Sequence, residues 1–434
     1  MPRLAAAWNR DRVTKTRAWD TAPGRRIGPH GNALLLGWAG GLGQALLGVL
    51  DRTPAGQAVA SSLDALYLLD AEPVSGVRVP AFARVLPAEL VTSGEHLARL
   101  VKALGIAQVI DASRTRTLDC IRACSELGVS YLCGSIESPE ERATTSSLAR
   151  LLLPGVRPHL EGGSHLVGSG MNPGIVNALA LVGLEELARR VGRPADPEAL
   201  GLHGLYVTER DTTAEVGAAD PDAFPMTWSP RQCLAELLEP RAVVVRNGRI
   251  VELGHAPSEG CYRARCGEDL IEGMLVPHEE IVTLAERFPS IEIGFVYELP
   301  LAARRALQRH AGLPDLAAWP TRKLYPPHAT ALEGYDRVGV LLVTRCFGEL
   351  WLGFQTDVRD GLRFGTNATE LQVAAGALAG WNRLGERQGI HCVEELDPHA
   401  YLATVTSILG PYRVVHDPNA PPRLIEERRC EVRG

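Results

Sequence analysis

The chain lacks the cysteine spacing of a metal site or of a disulfide-stabilised secreted domain. Its nine cysteines are an odd number, and no two of them form a CxxC pair. Cys261 and Cys266 have no matching His or Cys pair at zinc-finger spacing. We therefore expect no metal site, and we expect all nine cysteines to be reduced thiols of a cytoplasmic protein.

The chain also lacks a strong net charge and an uninterrupted apolar run. A formal net charge of −6 gives no reason to expect a nucleic-acid partner. The uncharged stretch 31–50 contains six glycines, which favours a buried strand, turn and helix over a membrane span. The basic segment 1–27 is interrupted by Asp11 and Asp20 and has no apolar core, so it is predicted to be a loosely packed tail. Neither a membrane nor a nucleic-acid partner is expected.

A length of 434 residues exceeds one ordinary core and suggests two domains. In the N-terminal part, short apolar runs alternate with helical stretches. Strands are predicted at 33–36, 63–69, 107–110 and 129–132, and helices at 44–50, 96–104 and 118–127. This alternation is typical of βαβ units, so the segment 28–170 is predicted to be an α/β domain with a Rossmann-type doubly wound parallel sheet.

The pattern changes after residue 170. Asn172 suits the N-cap and Pro173 the first turn of a long helix that extends to Arg190. Strand-like runs separated by Gly and Pro clusters follow, at 202–207, 243–245, 291–297, 338–343 and 350–354. They predict an α+β catalytic domain with a mixed sheet over 171–360. Further on, Asn367 and Glu370 have the spacing of a capping box, before a helix that extends to about residue 385.

A glycine-rich turn follows the first predicted strand. Gly37, Gly40 and Gly43 form a GxxGxxG pattern, in which small residues let a pyrophosphate approach the N–H groups at a helix N-terminus. Gly41 and Leu42 belong to the same candidate cradle. Ala39 stands where a GxGxxG pattern has its second glycine. The alternative is a tight turn that binds no ligand.

Acidic residues close two of the predicted strands. Asp70 is placed to accept hydrogen bonds from ribose hydroxyls and to repel a 2′-phosphate, which predicts NAD rather than NADP. An ordinary strand-end or helix-capping role is the alternative for Asp70. Asp111 and Ser113, at the end of a later strand, are further candidates for contact with the cofactor.

Several segments, in this order along the chain, resemble segments of the homospermidine synthases, a family within the saccharopine dehydrogenase-like superfamily. They are GSGMNPGIV (168–176), YVTERDT (206–212), FPMTWS (224–229), LVPHEEI (275–281), TNATELQVAAGALAG (366–380) and IHCVEELD (390–397). The resemblance spans about 30–415. It implies NAD as cofactor, a Rossmann part completed by the C-terminal segment 361–434, and a homodimer.

The resemblance also implies a redox-neutral reaction. In that family, bound NAD accepts a hydride from a primary amine, a second amine displaces ammonia from the resulting imine, and the new imine is reduced. The segment YELPLAA (297–303) departs from a YHPCD-like stretch of the family. An imine reductase or amine or amino-acid dehydrogenase of the saccharopine type, acting on a different amine, is therefore the alternative.

A small cationic amine or diamine requires carboxylates for its ammonium groups and an aromatic face for an iminium ion. Glu209 and Trp228 match the family's ERD and TWS segments, and Glu236 lies eight residues after Trp228 on the expected helix face. For each of them a structural role is the alternative. The remaining candidates are Glu137, His278, Glu280 and Asp336 for catalysis, and Asn172 with Pro173 for contact with the nicotinamide. A non-catalytic cofactor-binding protein would not need such a set.

Overall fold

The computed structural model describes residues 27–73, 77–138, 144–217, 220, 222–310, 318–326 and 331–431. The predicted basic tail lies outside this range except for Ile27. The strands are β1 (Gly31–Leu36), β2 (Leu63–Leu69), β3 (Ala83–Val85), β4 (Ile106–Asp111), β5 (Ser130–Cys133), β6 (Ser164–Val167), β7 (Leu202–Asp211), β8 (Ala214–Glu215), β9 (Phe224–Met226), β10 (Val243–Arg246), β11 (Arg249–Glu252), β12 (Tyr262–Cys266), β13 (Asp269–Leu275), β14 (Glu292–Glu298), β15 (Thr321–Lys323), β16 (Leu332–Glu333), β17 (Tyr335–Thr344), β18 (Glu349–Asp357), β19 (Gly389–His391) and β20 (Arg413–Asp417). The helices are α1 (Gly41–Arg52), α2 (Pro54–Ser62), α3 (Gly94–Leu104), α4 (Thr117–Glu126), α5 (Thr145–Ala149), α6 (Ile175–Val191), α7 (Pro230–Leu237), α8 (Glu279–Thr283), α9 (Leu301–His310), α10 (Val358–Arg363), α11 (Ala368–Trp381) and α12 (Pro398–Leu409).

The first sheet is parallel, and within the described residues its order is β19-β6-β5-β4-β1-β2-β3. Its central strands are apolar on both faces because helices cover both sides. The helices α3 and α4 pack on one face, whereas α1 and α11 pack on the other. The chain runs outward from β1 in one direction and then from β4 in the other. The sheet is therefore doubly wound, as predicted, with its switch point between β1 and β4.

The edge strand β19 comes from the C-terminal part of the chain and pairs with β6, with Gly389 opposite Ser164. The helix α11 from the same part packs against α1. The strand β20, which follows in the chain, belongs to the second sheet, where it pairs with β18. The segment 361–434 thus contributes to both sheets, whereas the sequence assigned it to the Rossmann part alone.

The second sheet is mixed, with the order β11-β10-β14-β7-β17-β18-β20 among the described strands, and the hairpin β12–β13 attached to β14. Only the β14–β7 pair in this path is parallel; the other pairs are antiparallel. The helix α6 covers β17 and β18 on one face. The predicted α+β architecture with a mixed sheet is confirmed.

Two predicted helix ends are wrong. The N-cap of α6 is Gly174 rather than Asn172, and Pro173 precedes the helix. Gly174 has a φ of 132°, and its N–H donates to Oδ1 of Asn177 over 2.8 Å. The side chain of Asn172 is thereby left available for another contact. The helix α11 ends at Trp381 rather than near residue 385.

The predicted cap of α11 is half correct. Asn367 Oδ1 accepts from the N–H of Glu370 over 2.8 Å, as a capping residue does. The carboxylate of Glu370 instead forms an ion pair with Lys323, so the reciprocal half of the capping box is absent. Among the described helices, none has the length and apolar character needed to cross a membrane.

Candidate active site

A cleft of about 990 Å³ opens between the two sheets. Its floor on the Rossmann side lies at the carboxyl ends of β1 and β4, which is the switch point where doubly wound sheets bind ligands. Its other wall is built from β7, β14 and the start of α7. The cleft is therefore lined by residues from elements of both sheets.

The glycine turn shapes the Rossmann end of the cleft. Gly37 has a φ of 71°, and a Cβ there would lie 2.7 Å from the carbonyl of Ala112. A Cβ on Gly43 would lie 2.5 Å from Cα of Trp38. These two glycines let the turn fold tightly beneath α1, and it is Gly40, Gly41 and Leu42 that line the cleft. The N–H groups at the start of α1 are thus open to an anionic ligand, and the turn fits a dinucleotide.

The two strand-end acids hold the local backbone. Asp70 Oδ2 accepts from the N–H of Ala39 over 2.9 Å, which ties the end of β2 to the glycine turn. Asp111 accepts from the N–H and the hydroxyl of Ser113 and from the hydroxyl of Tyr131, at 2.8, 2.6 and 2.7 Å. Both Asp111 and Ser113 line the cleft, whereas Asp70 does not reach it.

Glu209 lies on β7 and faces the cleft from the second sheet. Asn172 Nδ2 donates to Glu209 Oε2 over 2.9 Å, so the residue predicted as a helix cap orients a carboxylate instead. Both Asn172 and Pro173 line the cleft. Burial, together with the neighbouring carboxylate of Asp211, raises the pKa of Glu209 to about 8. Tyr297 stands beside Glu209 on the paired strand β14.

Asp211 and Asp336 form a buried layer behind Glu209. They are cross-strand partners on β7 and β17. Thr227 donates to Asp211 over 2.9 Å, and Thr369 donates to Asp336 over 2.6 Å. Burial raises the pKa of both carboxyls, that of Asp211 to about 6. Asp336 does not reach the cleft, and its contact with a substrate is therefore not supported.

His278 and Glu236 both line the cleft. His278 Nδ1 pairs with the fully buried carboxylate of Glu280, which lies behind it rather than in the cleft. Burial alone lowers the pKa of His278, but the carboxylates of Glu280, Glu236 and Glu279 together raise it to about 10. Burial raises the pKa of Glu236 and of Glu279 to about 8.

The carboxylates of Glu279 and Glu236 differ in their hydrogen bonds. Glu279 Oε1 accepts from the N–H of Ile136 over 2.8 Å, which joins the second domain to the loop after β5. Within the part of the chain that the structure describes, the carboxylate of Glu236 accepts no hydrogen bond, although only 6% of this residue is exposed. Glu236 is therefore a buried acid that lines the cleft and could accept hydrogen bonds from a ligand.

An aromatic wall also lines the cleft. Phe295 and Tyr297 stack with ring centroids 5.7 Å apart, and His278 meets Phe295 edge-on at 5.2 Å. Trp228 lines the same cleft and is half-buried. It lies before α7, because Ser229 is the N-cap of that helix. The predicted shared helix face with Glu236 is thus wrong, but both residues line the cleft.

Glu137 lines the cleft near its Rossmann side. Its carboxylate accepts from Ser135 over 3.1 Å and lies 3.9 Å from Arg114, and burial raises its pKa. Within the described residues, no cluster of His, Cys, Asp and Glu side chains is arranged to bind a metal.

Several residues at or behind the cleft were not predicted from the sequence. Asp211, which supports Glu209 from behind, lies two residues after it, and the alternation of a strand places both on one face, so this residue was within reach of the sequence. Phe295 and Tyr297 repeat the same spacing on β14. Lys323 had no such signal, because β15 meets the site only through its pairing with the distant strand β9.

No family model matches the chain. It is 24% identical over 352 residues to the homospermidine synthase of Mesorhizobium japonicum, covering 69% of this chain and 72% of that one. It is 25% identical over 354 residues to the homospermidine synthase of Blastochloris viridis, covering 68% and 72%. The predicted resemblance to homospermidine synthases is confirmed.

Solved structures agree with this resemblance. The homospermidine synthase of Legionella pneumophila, crystallised with NAD, superposes with a TM-score of 0.72 at 20% identity, over 89% of this chain and 91% of that one. An apo saccharopine dehydrogenase from Saccharomyces cerevisiae gives 0.53 at 12% identity, over 88% and 99%. The likeness to these structures covers most of this chain, and it shows that the fold is shared.

Proposed function

We propose that this chain is an NAD-dependent enzyme of the homospermidine synthase type, which oxidises a primary amine to an imine, couples a second amine and reduces the product. One observation carries the proposal: a single cleft is lined both by a dinucleotide-type glycine turn and by buried carboxyls with an aromatic wall. The similarity to homospermidine synthases supports the same reaction.

The cofactor would be held by the N–H groups of Gly41 and Leu42, with Ser113 on the neighbouring strand end. The N–H of Gly40 instead donates to the carbonyl oxygen of Gly37 over 3.1 Å, within the turn. Asp70 stabilises the turn through Ala39, and its charge disfavours a 2′-phosphate, so NAD is expected to bind more tightly than NADP. When bound, NAD supplies a hydride acceptor and, once reduced, a hydride donor.

The amine would be held by Glu236 and Glu209, which also line the cleft. An ammonium group close to either carboxyl favours its ionised form, so the substrate supplies the charge that burial disfavours. The aromatic face of Trp228 is suited to an iminium ion in a water-poor cleft.

Proton transfer is assigned to the carboxyls rather than to His278. With a pKa of about 10, His278 is protonated at neutral pH and holds its proton against Glu280. Glu209, Glu236 and Glu279 have pKa values of about 8, which suits groups that accept and return protons near neutral pH. The amine that attacks must first lose a proton, and these carboxyls line the cleft and can accept it.

A net imine reductase or amino-acid dehydrogenase of the saccharopine type is the second candidate. Arg231, at the start of α7, lines the cleft and is suited to bind a substrate carboxylate. Cytoplasmic location and a homodimer stay predictions from the sequence.

The test uses putrescine deuterated at the carbons that bear nitrogen, with NAD far below the amine concentration. We expect homospermidine and ammonia to form in equal amounts, with full retention of deuterium and no accumulation of NADH. Turnover that stops when NAD is exhausted, or that needs a carboxylated amine and added NADH, would favour the second candidate. Absence of NAD binding would overturn both.

A further inference from the structure

Lysine is scarce in this chain. Only Lys15, Lys102 and Lys323 occur among 45 basic residues, so arginine serves almost everywhere else. Lys102 is exposed on α3, whereas Lys323 lines the cleft with only 27% of its side chain exposed. A compact ammonium group at this place has properties that a planar guanidinium lacks.

Lys323 reaches the glycine turn from the second domain. Its Nζ lies 2.8 Å from Oε1 of Glu370, in the first turn of α11, and 4.7 Å from the ring centroid of Tyr325. A Cβ placed on Gly41 would overlap with both the Glu370 carboxylate and the Lys323 ammonium. The ion pair therefore occupies the space above the first residue of α1, and glycine at position 41 is what makes room for it.

Without Lys323, a dinucleotide pyrophosphate at the glycine turn would face the negative charge of Glu370 with no neighbouring positive charge from this ion pair. A pyrophosphate bound at the start of α1 would lie next to the carboxylate of Glu370, which is buried and would repel it. An ammonium group has three donors, so one lysine can bind Glu370 and a phosphate oxygen together. Among the described residues, the other cations lining the cleft are Arg114, which lies near Glu137, Arg231 on α7 and the protonated His278.

We propose that Lys323 binds the pyrophosphate of the dinucleotide, so that the second domain contributes directly to the cofactor site. This inference rests on the proposed cofactor. The strand that carries Lys323, β15, pairs with β9, and β9 leads directly into Thr227 and Trp228. Cofactor binding through Lys323 therefore stabilises the segment that places Trp228, which favours binding of the cofactor before the amine.

Lysine labelling tests the contact on the intact protein. The protein is treated with an amine-acetylating reagent, and the modification of Lys323 and Lys102 is followed by peptide mass spectrometry. NAD and ADP-ribose should each slow the acetylation of Lys323 at least several-fold, whereas adenosine, which lacks phosphate, should not. Lys102 is the internal control and should react equally throughout. Protection by putrescine but not by ADP-ribose would overturn the proposal, because Lys323 would then belong to the substrate site.

Calorimetry on variants gives a second, independent readout. Lys323→Met should weaken NAD and ADP-ribose binding about tenfold, the loss of one charge-assisted hydrogen bond. The loss should shrink at high salt, and Lys323→Arg should recover part of it. Glu370→Gln, which removes the repelling carboxylate, should bind ADP-ribose at least as tightly as wild type. A folded Lys323→Met protein with wild-type affinity for ADP-ribose, at low and high salt, would overturn the inference and leave the proposed function intact. Failure of the wild-type protein to bind NAD would instead overturn the proposed function.

Discussion

Individual carboxyl groups dominate the chemistry proposed for the cleft, and burial rather than sequence determines their pKa values. Glu209, Glu236 and Glu279 would be ionised at neutral pH in water, yet burial raises the pKa of each to about 8. A cationic ligand reverses this effect. Binding of a diamine at pH 7 should therefore release protons from the protein, a property that an uncharged substrate would not produce.

Glu236→Gln should separate binding of a second ammonium group from the rest of the reaction. The change removes a charge at nearly constant size, so KM should rise several-fold more for a diamine than for a monoamine. Proton release on diamine binding, measured by calorimetry in buffers of different ionisation enthalpy, should fall as well. Glu239→Gln is the matched control, because its carboxylate already accepts from the N–H of Thr145 over 3.0 Å. Equal effects of the two changes would contradict the role of Glu236.

Trp228→Ala should slow hydride transfer with little effect on folding. Loss of a cation–π contact of about 1–2 kcal/mol corresponds to a rate lower by about tenfold. Trp228→Phe should recover part of the rate. The indole is half-buried, so the melting temperature should change little. A rate equal to wild type with a loss of stability of about 3–5 kcal/mol, as expected for a core aromatic, would assign Trp228 a structural role.

Residues within contiguous sequence motifs were predicted, whereas contacts between residues far apart in the sequence were not. Glu209 and Trp228 were found because each lies in a segment that resembles a family motif. The pairing of Asn172 with Glu209 could not be found, because it joins the turn before α6 to β7, 37 residues further along the chain. Glu280 and Asp336 were predicted as catalytic residues, yet neither lines the cleft, because the sequence does not tell which carboxyl faces the cleft and which supports a neighbour from behind.

Among the structural elements, the glycine turn performs two separable tasks. Gly43 allows close packing of α1, since a Cβ there would lie 2.5 Å from the backbone of Trp38. Gly40 faces the cleft, and a Cβ there would meet only the carbonyl oxygen of Gly37, at 3.3 Å. The same turn thus contains one position that supports folding and one that supports binding.

Two substitutions should distinguish these tasks. Gly43→Ala should lower both the melting temperature and the affinity for NAD, because α1 must move away from the turn. Gly40→Val should leave the melting temperature of the free protein nearly unchanged and reduce NAD binding at least tenfold, because the side chain enters the space of the pyrophosphate. Thermal melts and calorimetry on both variants provide the comparison. If Gly40→Val binds NAD normally, the cofactor lies elsewhere.

Elements with strong local patterns were predicted well. The run LDALYLL coincides with β2, because it is apolar on both faces and is bounded by polar residues, which is the pattern of a short buried strand. The start of α6 was misplaced by two residues, since Gly174 and Asn177 satisfy the helix end and Asn172 does not. The short strands β9 and β15 were not predicted. Each has only three residues, and only their mutual pairing defines them.

For the whole molecule, the buried carboxyls predict a stability that declines as pH rises. The folded protein keeps protons on Glu209, Glu236 and Glu279 that the unfolded chain releases above the ordinary pKa of 4.5. Stability therefore falls between about pH 4.5 and pH 8. His278 acts in the same direction between 6.5 and about 10, because its raised pKa favours the folded state only while it is protonated.

Thermal melts of the ligand-free protein between pH 5 and pH 9 test this expectation. The melting temperature should decrease across the range, and Glu236→Gln should flatten the decrease between pH 5 and pH 8. Addition of a diamine should flatten it too, since the ligand supplies the missing positive charge. An unchanged slope in the Glu236→Gln protein would show that this carboxyl is ionised before the ligand arrives.

The pairing of β19 with β6 has a consequence for biosynthesis. The N–H of Gly385 donates to Oγ of Ser164 from 221 residues further along the chain. A ribosome adds about 5–20 residues per second, so for many seconds the nascent Rossmann sheet has an open edge at β6 and an apolar face that α11 has yet to cover. The parallel sheet therefore stays incomplete until the C-terminal part of the chain has been synthesised. The two domains must acquire their final structure together, and a chain terminated before Gly389 should expose sheet edges that promote aggregation or chaperone capture.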